Sequence, residues 1–345
     1  MSVAGSSSDR SDALPPRVSV VMPVYNAERL LGECLAAVAA STFRAYEVVV
    51  VDDGSTDRSR EIAAAHGARV VASGGRLGPG RARNMGVDHA RGDIVFFIDS
   101  DVVVRPDTLA RIVAAFDCDP GLSGLMAVQS PAMRFRNLCS VYKNLWMHYT
   151  YVRKAGQDVS LFYTTAAAIR RRAFVAAGGF DSNYVDPNIE DTDFGQKLAR
   201  LGYRIRILAD LEVEHVKGYD LAGLLRVDFL RSRSLARLKL RKSAEGIGKN
   251  DTSVPTGYIA SVPLAGLAVA LLAIGIACGN RTLLWANFFA LAAILVLNIP
   301  FLRLLREHGG VRTWGPSCGL LIIELLAAGA GSAAGVATYI GGKKY

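Results

Sequence analysis

The chain has 345 residues, 51% of them apolar and 21% charged, with a formal net charge of +9. Five scattered cysteines (Cys34, Cys118, Cys139, Cys278, Cys318) form no CxxC pair, which argues against a disulfide framework or zinc finger. The basic excess is densest between Arg226 and Lys242, just ahead of long apolar runs, and no aromatic-plus-basic RNA-binding signature accompanies it; anionic membrane lipid, not nucleic acid, is the expected partner.

The first segment, Met1 to Pro16, is rich in Ser, Asp and Pro and lacks an apolar core, so it reads as a polar leader and not a signal peptide. From Arg17 strands and helices alternate. RVSVVMPVYN predicts a buried strand, Glu28 to Ala40 a helix with apolar residues at helical spacing, and YEVVVVDDGS a second strand. A helix over Thr56–His66, a short strand ARVVAS, a helix over Gly80–Ala90 and a strand DIVFFIDSDV follow. Continuous apolar strands separated by helices predict an α/β fold with a mostly parallel sheet covered on both faces. Ligands in such sheets bind at the carboxyl ends of the strands. The polar residues stand there: Tyr25 and Asn26, Asp52 and Asp53, Asp99 and Asp101. Further on, Arg136 to Lys154 is aromatic-rich, Leu161 to Ile169 predicts a strand, GGFDSNY a loop, and Glu190 to Leu201 a helix stopped by Gly202.

After Lys217 the character changes. The domain is expected to end near residue 218, and residues 219–257 read as a basic interfacial segment whose apolar face is broken by Asp228, Arg231 and Lys239. Three apolar stretches, Tyr258–Cys278, Leu283–Leu302 and Pro316–Ile340, each meet the length of a membrane span, giving a helical transmembrane region over 258–341. Arg303, Arg306 and Arg312 lie between the second and third stretches, against Arg281 alone in the first connection. The positive-inside bias then places the large domain at the cytoplasmic face of a multi-pass protein.

The chemistry-bearing residues concentrate in five places. Asp99-Ser100-Asp101, two carboxylates one residue apart at a strand end, suits a hard divalent cation bridging to a diphosphate; its bland alternative is a solvated turn. In Asp52-Asp53-Gly54-Ser55 a carboxylate can accept a hydrogen bond from a base or ribose, or the group merely caps the next helix. Gly78-Pro79-Gly80-Arg81 to Asn84 is a glycine-rich helix entry that could cradle phosphate with Arg81 or Arg83, but lacks the dinucleotide fingerprint. Glu190-Asp191-x-Asp193 either complements a helix dipole or supplies a general base, and the lone His215 is either structural or the nitrogen ligand of a mixed metal site.

The motifs PVYN, VDDGSTD, ARNMGVDHARGD, FIDSD, GGFD, EDTDFGQKLARLGYRI and EVEH occur here in the order seen in family 2 glycosyltransferases, and the chain resembles that family from Arg17 to Lys217. The resemblance implies a GT-A fold, a nucleotide-diphosphate sugar donor, Mg²⁺ or Mn²⁺, and transfer with inversion. It implies that Pro23, Tyr25 and Asn26 line the nucleotide, that Asp52 or Asp53 holds the base, and that Arg81, Arg83, Asn84 and Ser100 belong to the donor site. By the same resemblance Asp99, Asp101 and His215 would hold the metal, and Asp191 beside Glu190 would be the base. Trp146, Tyr149 and Asp193 are expected at the acceptor, a glycan or lipid-linked hydroxyl, with a polyprenyl phosphate as the alternative. Processive members carry QxxRW; here FLRSRSLARLK stands instead, so one or a few transfers are expected. A sugar nucleotidyltransferase would need a glycine-rich, Arg-containing loop after the first strand, where PVYN stands, and a non-catalytic scaffold would lack the acids.

Overall fold

The computed structural model describes residues 15–184, 189–245, 252–343 and 345; of the polar leader, only Pro15 and Pro16 fall among them. An eight-stranded mixed sheet forms the centre, in the order β3-β2-β1-β4-β7-β6-β8-β5. Its parallel half is built from β1 (Val18–Val24), β2 (Tyr46–Asp52), β3 (Arg69–Ala72) and β4 (Ile94–Ile98). All five residues of β4 are buried, the pattern of a strand covered on both faces. The intervening helices are α1 (Leu31–Ala39), α2 (Ser59–Ala65) and α3 (Pro79–Asp88).

The second half of the sheet departs from the expected parallel arrangement. The strand expected over Leu161–Ile169 begins later, as β7 (Ala166–Arg170), and runs antiparallel to both β4 and β6 (Leu122–Gln129). The long β8 (Arg204–His215) pairs parallel with β6, and its last residue lies opposite Val102 of the two-residue β5 (Val102–Val103). That pairing brings His215 to the Asp-Ser-Asp strand end, and Val216 N–H donates to the Asp101 carbonyl at 2.8 Å. Helices α4 (Thr108–Cys118), α5 (Leu138–Val152), α6 (Arg171–Ala176) and α7 (Glu190–Arg200) complete the domain.

The basic segment is one 24-residue helix, α8 (Leu221–Ala244), capped by the Asp220 carboxylate on Gly223 N–H at 2.7 Å. Beyond it, α9 (Thr256–Ala277) and α12 (Val311–Ile340) are long and apolar enough to cross a membrane. The stretch expected as a middle span, Leu283–Leu302, is not one straight helix. It divides into α10 (Arg281–Leu297) and α11 (Ile299–Gly309), bent by 67°. Pro300 stands in the first turn of α11 and cannot continue the hydrogen bonding of α10. The Asn298 amide spans the break, donating to Ser261 Oγ at 2.8 Å and to the Ile294 carbonyl at 2.9 Å. Helix α11 buries Phe301, Leu302 and Leu305 while Arg303 and Arg306 stay exposed, an amphipathic helix.

Candidate active site

A cavity of about 550 Å³ opens at the carboxyl ends of β1, β2 and β4, the position expected from the sequence. One wall is acidic. Asp99, Ser100 and Asp101 come from the end of β4, Glu190 and Asp191 from the first turn of α7, and Asp53 follows β2. His215 joins them, with Nε2 3.3 Å from Asp101 Oδ2. Burial works against the charge on Asp101, but hydrogen bonding to His215 and the field of His215 and Lys217 hold its carboxyl below the usual aspartate range.

Arg83 sits beneath this wall, 4% exposed, reaching Asp99 Oδ1 at 2.7 Å and Glu190 Oε1 at 3.0 Å. Burial opposes its charge, but Asp99 and Glu190 more than offset that and keep it protonated above the ordinary arginine range. It thus fixes the strand end of β4 to the start of α7. Asp191 is buried beside Glu190. Desolvation first, and the Glu190 charge second, push its carboxyl up to about 6, against the pull of Arg231 and Arg83. A carboxylate tuned near 6 ionises around neutrality and remains basic enough to take a proton.

Asp53 accepts Leu77 N–H at 2.8 Å and Gly78 N–H at 2.9 Å. It therefore anchors the loop before α3, where Gly78 adopts φ 91°, a conformation that favours glycine. Pro23 and Tyr25 line the cavity from the end of β1, and the Arg76 guanidinium lies 4.5 Å from the Tyr25 ring centroid.

Several residues expected at the site lie outside the cavity. Asp52 is buried and paired with Arg60, and its Oδ1 accepts Ser55 N–H at 3.2 Å. Asn26, at φ 50°, accepts Thr56 N–H at 2.9 Å and ties the end of β1 to the loop after β2. Arg81 donates to the Ser182 carbonyl at 2.9 Å, and Asn84 exchanges two hydrogen bonds of 2.9 Å with the Phe180 backbone. Both brace the GGFD loop. Asp193 points away from the cavity, accepting from Arg241 at 2.7 Å and forming an ion pair with Lys242 at 2.6 Å, and so docks α8. Trp146 and Tyr149 pack against Tyr258 and Phe301 instead of lining the cavity, with ring centroids 4.5 Å (Trp146–Tyr258), 4.9 Å (Trp146–Phe301) and 5.6 Å (Tyr149–Phe301) apart. On α5 it is Lys143 and Met147, one turn apart, that face the cavity.

The rest of the cavity lining is largely basic and aromatic. Lys143, Lys217, Tyr219 and Arg231 belong to it, with Tyr163, Thr164 and Thr165 from the stretch before β7. Lys143 is paired with Asp228. Among the described residues Lys217 and Arg231 form no ion pair; Lys217 Nζ lies 5.9 Å from the Tyr219 ring centroid and Arg231 5.9 Å from that of Tyr163. The basic run of α8 was the available signal, but which of its arginines turns inward depends on packing against α5.

Two carboxylates and an imidazole are the donors a hard divalent cation accepts. Asp101 and His215 already meet, while one oxygen of Asp99 is committed to Arg83. Among the described residues no three acidic, histidine or cysteine side chains are arranged around a common point. The orphaned Gln129 Oε1 bears on this. It is buried without a hydrogen-bond partner, while Gln129 Nε2 lies 3.0 Å from His215 Nδ1. With the amide O and N of Gln129 exchanged, Oε1 would accept His215 Nδ1–H and leave the His215 Nε2 lone pair facing Asp101. The set fits a cation in that orientation.

Comparison with known proteins agrees with this architecture. Residues 19–177 match the family described as Glycosyl transferase family 2. The chain is 36% identical over 110 residues to glycosyltransferase GlyG of Streptococcus pneumoniae, covering 30% of this chain and 36% of that protein. It is 42% identical over 109 residues to an undecaprenyl-phosphate 4-deoxy-4-formamido-L-arabinose transferase of Edwardsiella ictaluri, covering 29% and 34% respectively. These matches span about a third of the length of those relatives. The fold is shared with a mannosyltransferase of Pyrobaculum calidifontis solved with GDP-Man and Mn²⁺, at a TM-score of 0.55, 23% identity, and coverage of 90% of this chain and 86% of that one. The cavity-bearing domain has the GT-A fold, and its residues 19–177 match glycosyltransferase family 2.

Proposed function

We propose that the cavity transfers a sugar from a nucleoside-diphosphate sugar to an acceptor hydroxyl, with inversion, at a membrane face. The observation that carries this reading is the buried carboxylate of Asp191, raised to about 6, sharing a cavity with Asp99, Asp101 and His215. Asp53 and the loop it anchors would take the nucleoside, with Tyr25 beside them. A divalent cation, held by Asp99, Asp101 and His215, would supply charge compensation for the diphosphate leaving group. Asp191 would accept the hydroxyl proton as that oxygen attacks the anomeric carbon from the face opposite the departing diphosphate. Glu190 and Arg83 would position Asp191 and Asp99 without touching substrate.

A second reading, in which the acceptor is a polyprenyl phosphate, is favoured by Lys217 and Arg231, which offer two cations to an anionic acceptor. A phosphate oxygen is already ionised near neutrality and needs no base. One experiment separates the two. With purified enzyme, release of nucleoside diphosphate is followed with each acceptor class for Asp191→Asn and Arg231→Ala. For a hydroxyl acceptor, Asp191→Asn lowers turnover by about 10²-fold or more, with little change in substrate binding. Near-normal turnover of that variant with a polyprenyl phosphate, combined with collapse of Arg231→Ala, assigns the phosphate instead.

A further inference from the structure

We infer that α12, although apolar and long enough to cross a bilayer, lies along the membrane surface with both ends on the side of the catalytic domain. The inference is independent of which acceptor the site takes.

At about 1.5 Å per residue its 30 residues extend about 45 Å, against about 30 Å of hydrocarbon. A crossing helix would separate its ends by the full thickness of the bilayer. Here both ends touch the catalytic domain. At the start, His308 in the preceding turn lies 6.5 Å from His148 of α5, ring centroid to centroid. In the middle, the Glu324 carboxylate accepts the hydroxyl of Tyr142 and sits 3.6 Å from Lys143, which lines the active-site cavity. Beyond the end, the Tyr345 ring lies 4.3 Å from the Arg241 guanidinium and 5.4 Å from the ring of Tyr184, in the loop before α7.

Between these points α12 runs beside α8 in the same direction. A methyl group at Gly331 would collide with the Phe229 carbonyl oxygen, and one at Gly335 with that of Arg233, so the contact advances four residues on each helix together. Helix α8 is itself fixed to the soluble domain near both ends, by Lys143 on Asp228 and by Asp193 on Arg241 and Lys242. It also carries Arg226, Arg231, Arg233, Arg237 and Lys239, which hydrocarbon would exclude. A helix docked against α8 over this length cannot descend into the bilayer without taking those charges along.

Outside these contacts α12 leaves the apolar side chains of Trp314, Ile323, Val336 and Ile340 exposed. Exposed Arg303, Arg306 and Arg312 stand at one end and Lys343 at the other. Apolar side chains bounded by cations suit the acyl-chain boundary beneath anionic headgroups. Helix α9 starts against α5, where Tyr258 meets Trp146, and its Val262 stands beside Gly329 of α12, so a crossing α9 would enter next to α12. The buried Glu324 then needs no place in lipid, because it faces the protein.

The test uses the full chain in sealed membrane vesicles of each orientation and a membrane-impermeant maleimide. Exposed Cys118 on the catalytic domain marks its face, and Thr313→Cys and Lys343→Cys are read singly with the other accessible cysteines changed to serine. Both are expected to label from the face that labels Cys118. Labelling of Lys343→Cys from the opposite face overturns the inference. Should the cysteine-depleted chain fail to fold, an epitope appended to Tyr345 of the natural sequence is digested from each face. Its removal together with the catalytic domain supports the surface placement, and its protection while that domain is digested overturns it.

Discussion

At the scale of single residues, Arg83 and Asp191 divide the work of making the acid wall habitable. Arg83 is buried between Asp99 and Glu190, so Arg83→Ala would leave two carboxylates near the cavity floor without their counter-ion. The expected loss is about 3 to 5 kcal/mol in denaturant unfolding, the scale for breaking a buried pair from one side. Asp191 is the opposite case, a carboxylate that the fold makes less acidic. Its folded value of about 6 lies above its ordinary 3.8, so its ionisation opposes folding as pH rises between those values, and the cost persists above 6. Asp191→Asn should therefore raise the unfolding midpoint at pH 8 while abolishing most turnover. The rate of the natural enzyme should fall on the acid side of about pH 6, where Asp191 holds its proton and cannot take another. A pH–rate profile that stays flat down to pH 5 would remove Asp191 as the base.

At the scale of elements, the packing of α12 on α8 gives a prediction that sequence alone could not. The small residues of GAGSAAG let the two backbones approach, and Gly331→Val would drive a branched side chain into the Phe229 carbonyl. Overpacking of this kind costs about 1 to 3 kcal/mol, to be read as a lowered melting midpoint in detergent. The strands β1, β2 and β4 were legible because each carries a run rich in valine, isoleucine or phenylalanine that leads into polar residues. Strand β6, reading LSGLMAVQ, is interrupted by serine and glycine, and β8 alternates with exposed Ala209 and Asp210, so neither announces itself by composition. The break at Asn298 hides within a hydropathic stretch for a similar reason: one proline and one buried amide decide it, and neither lowers the average much. Within the site, the acids were legible since they cap strands in register. Lys143 and Arg231 were not, because only the docking of α5 against α8 brings them to one cavity. Trp146 illustrates the converse. Its aromatic neighbours suggested a sugar platform, yet the helix turns that side toward Tyr258 and Phe301.

At the scale of the whole molecule, the catalytic domain and the apolar helices share one core. A single cluster of buried side chains runs from Val21 and Phe97 of the sheet, through Tyr142 and Trp146 of α5, to Tyr258, Phe301, Leu321 and Leu325 of the C-terminal helices. The boundary expected near residue 218 therefore separates chain segments but not packing units. A chain ended after Glu245 would keep every residue proposed for the donor and the metal. It would also uncover the faces of α5 and α8 now covered by α9, α11 and α12, including Tyr142 and Trp146, which are 0% and 6% exposed here. Baring Tyr142, Trp146 and the side of α8 that α12 covers exposes apolar surface of the kind that drives association. Lys143 would lose Glu324 while keeping Asp228, so the cationic wall of the cavity would also lose part of its support. The expected outcome is a shortened chain that aggregates on release from detergent and shows no nucleoside-diphosphate release, even though its sheet is intact. A truncated domain that is monomeric, soluble and active by size exclusion and turnover assay would show that the shared core is dispensable, and that the helices serve only to hold the enzyme at the membrane.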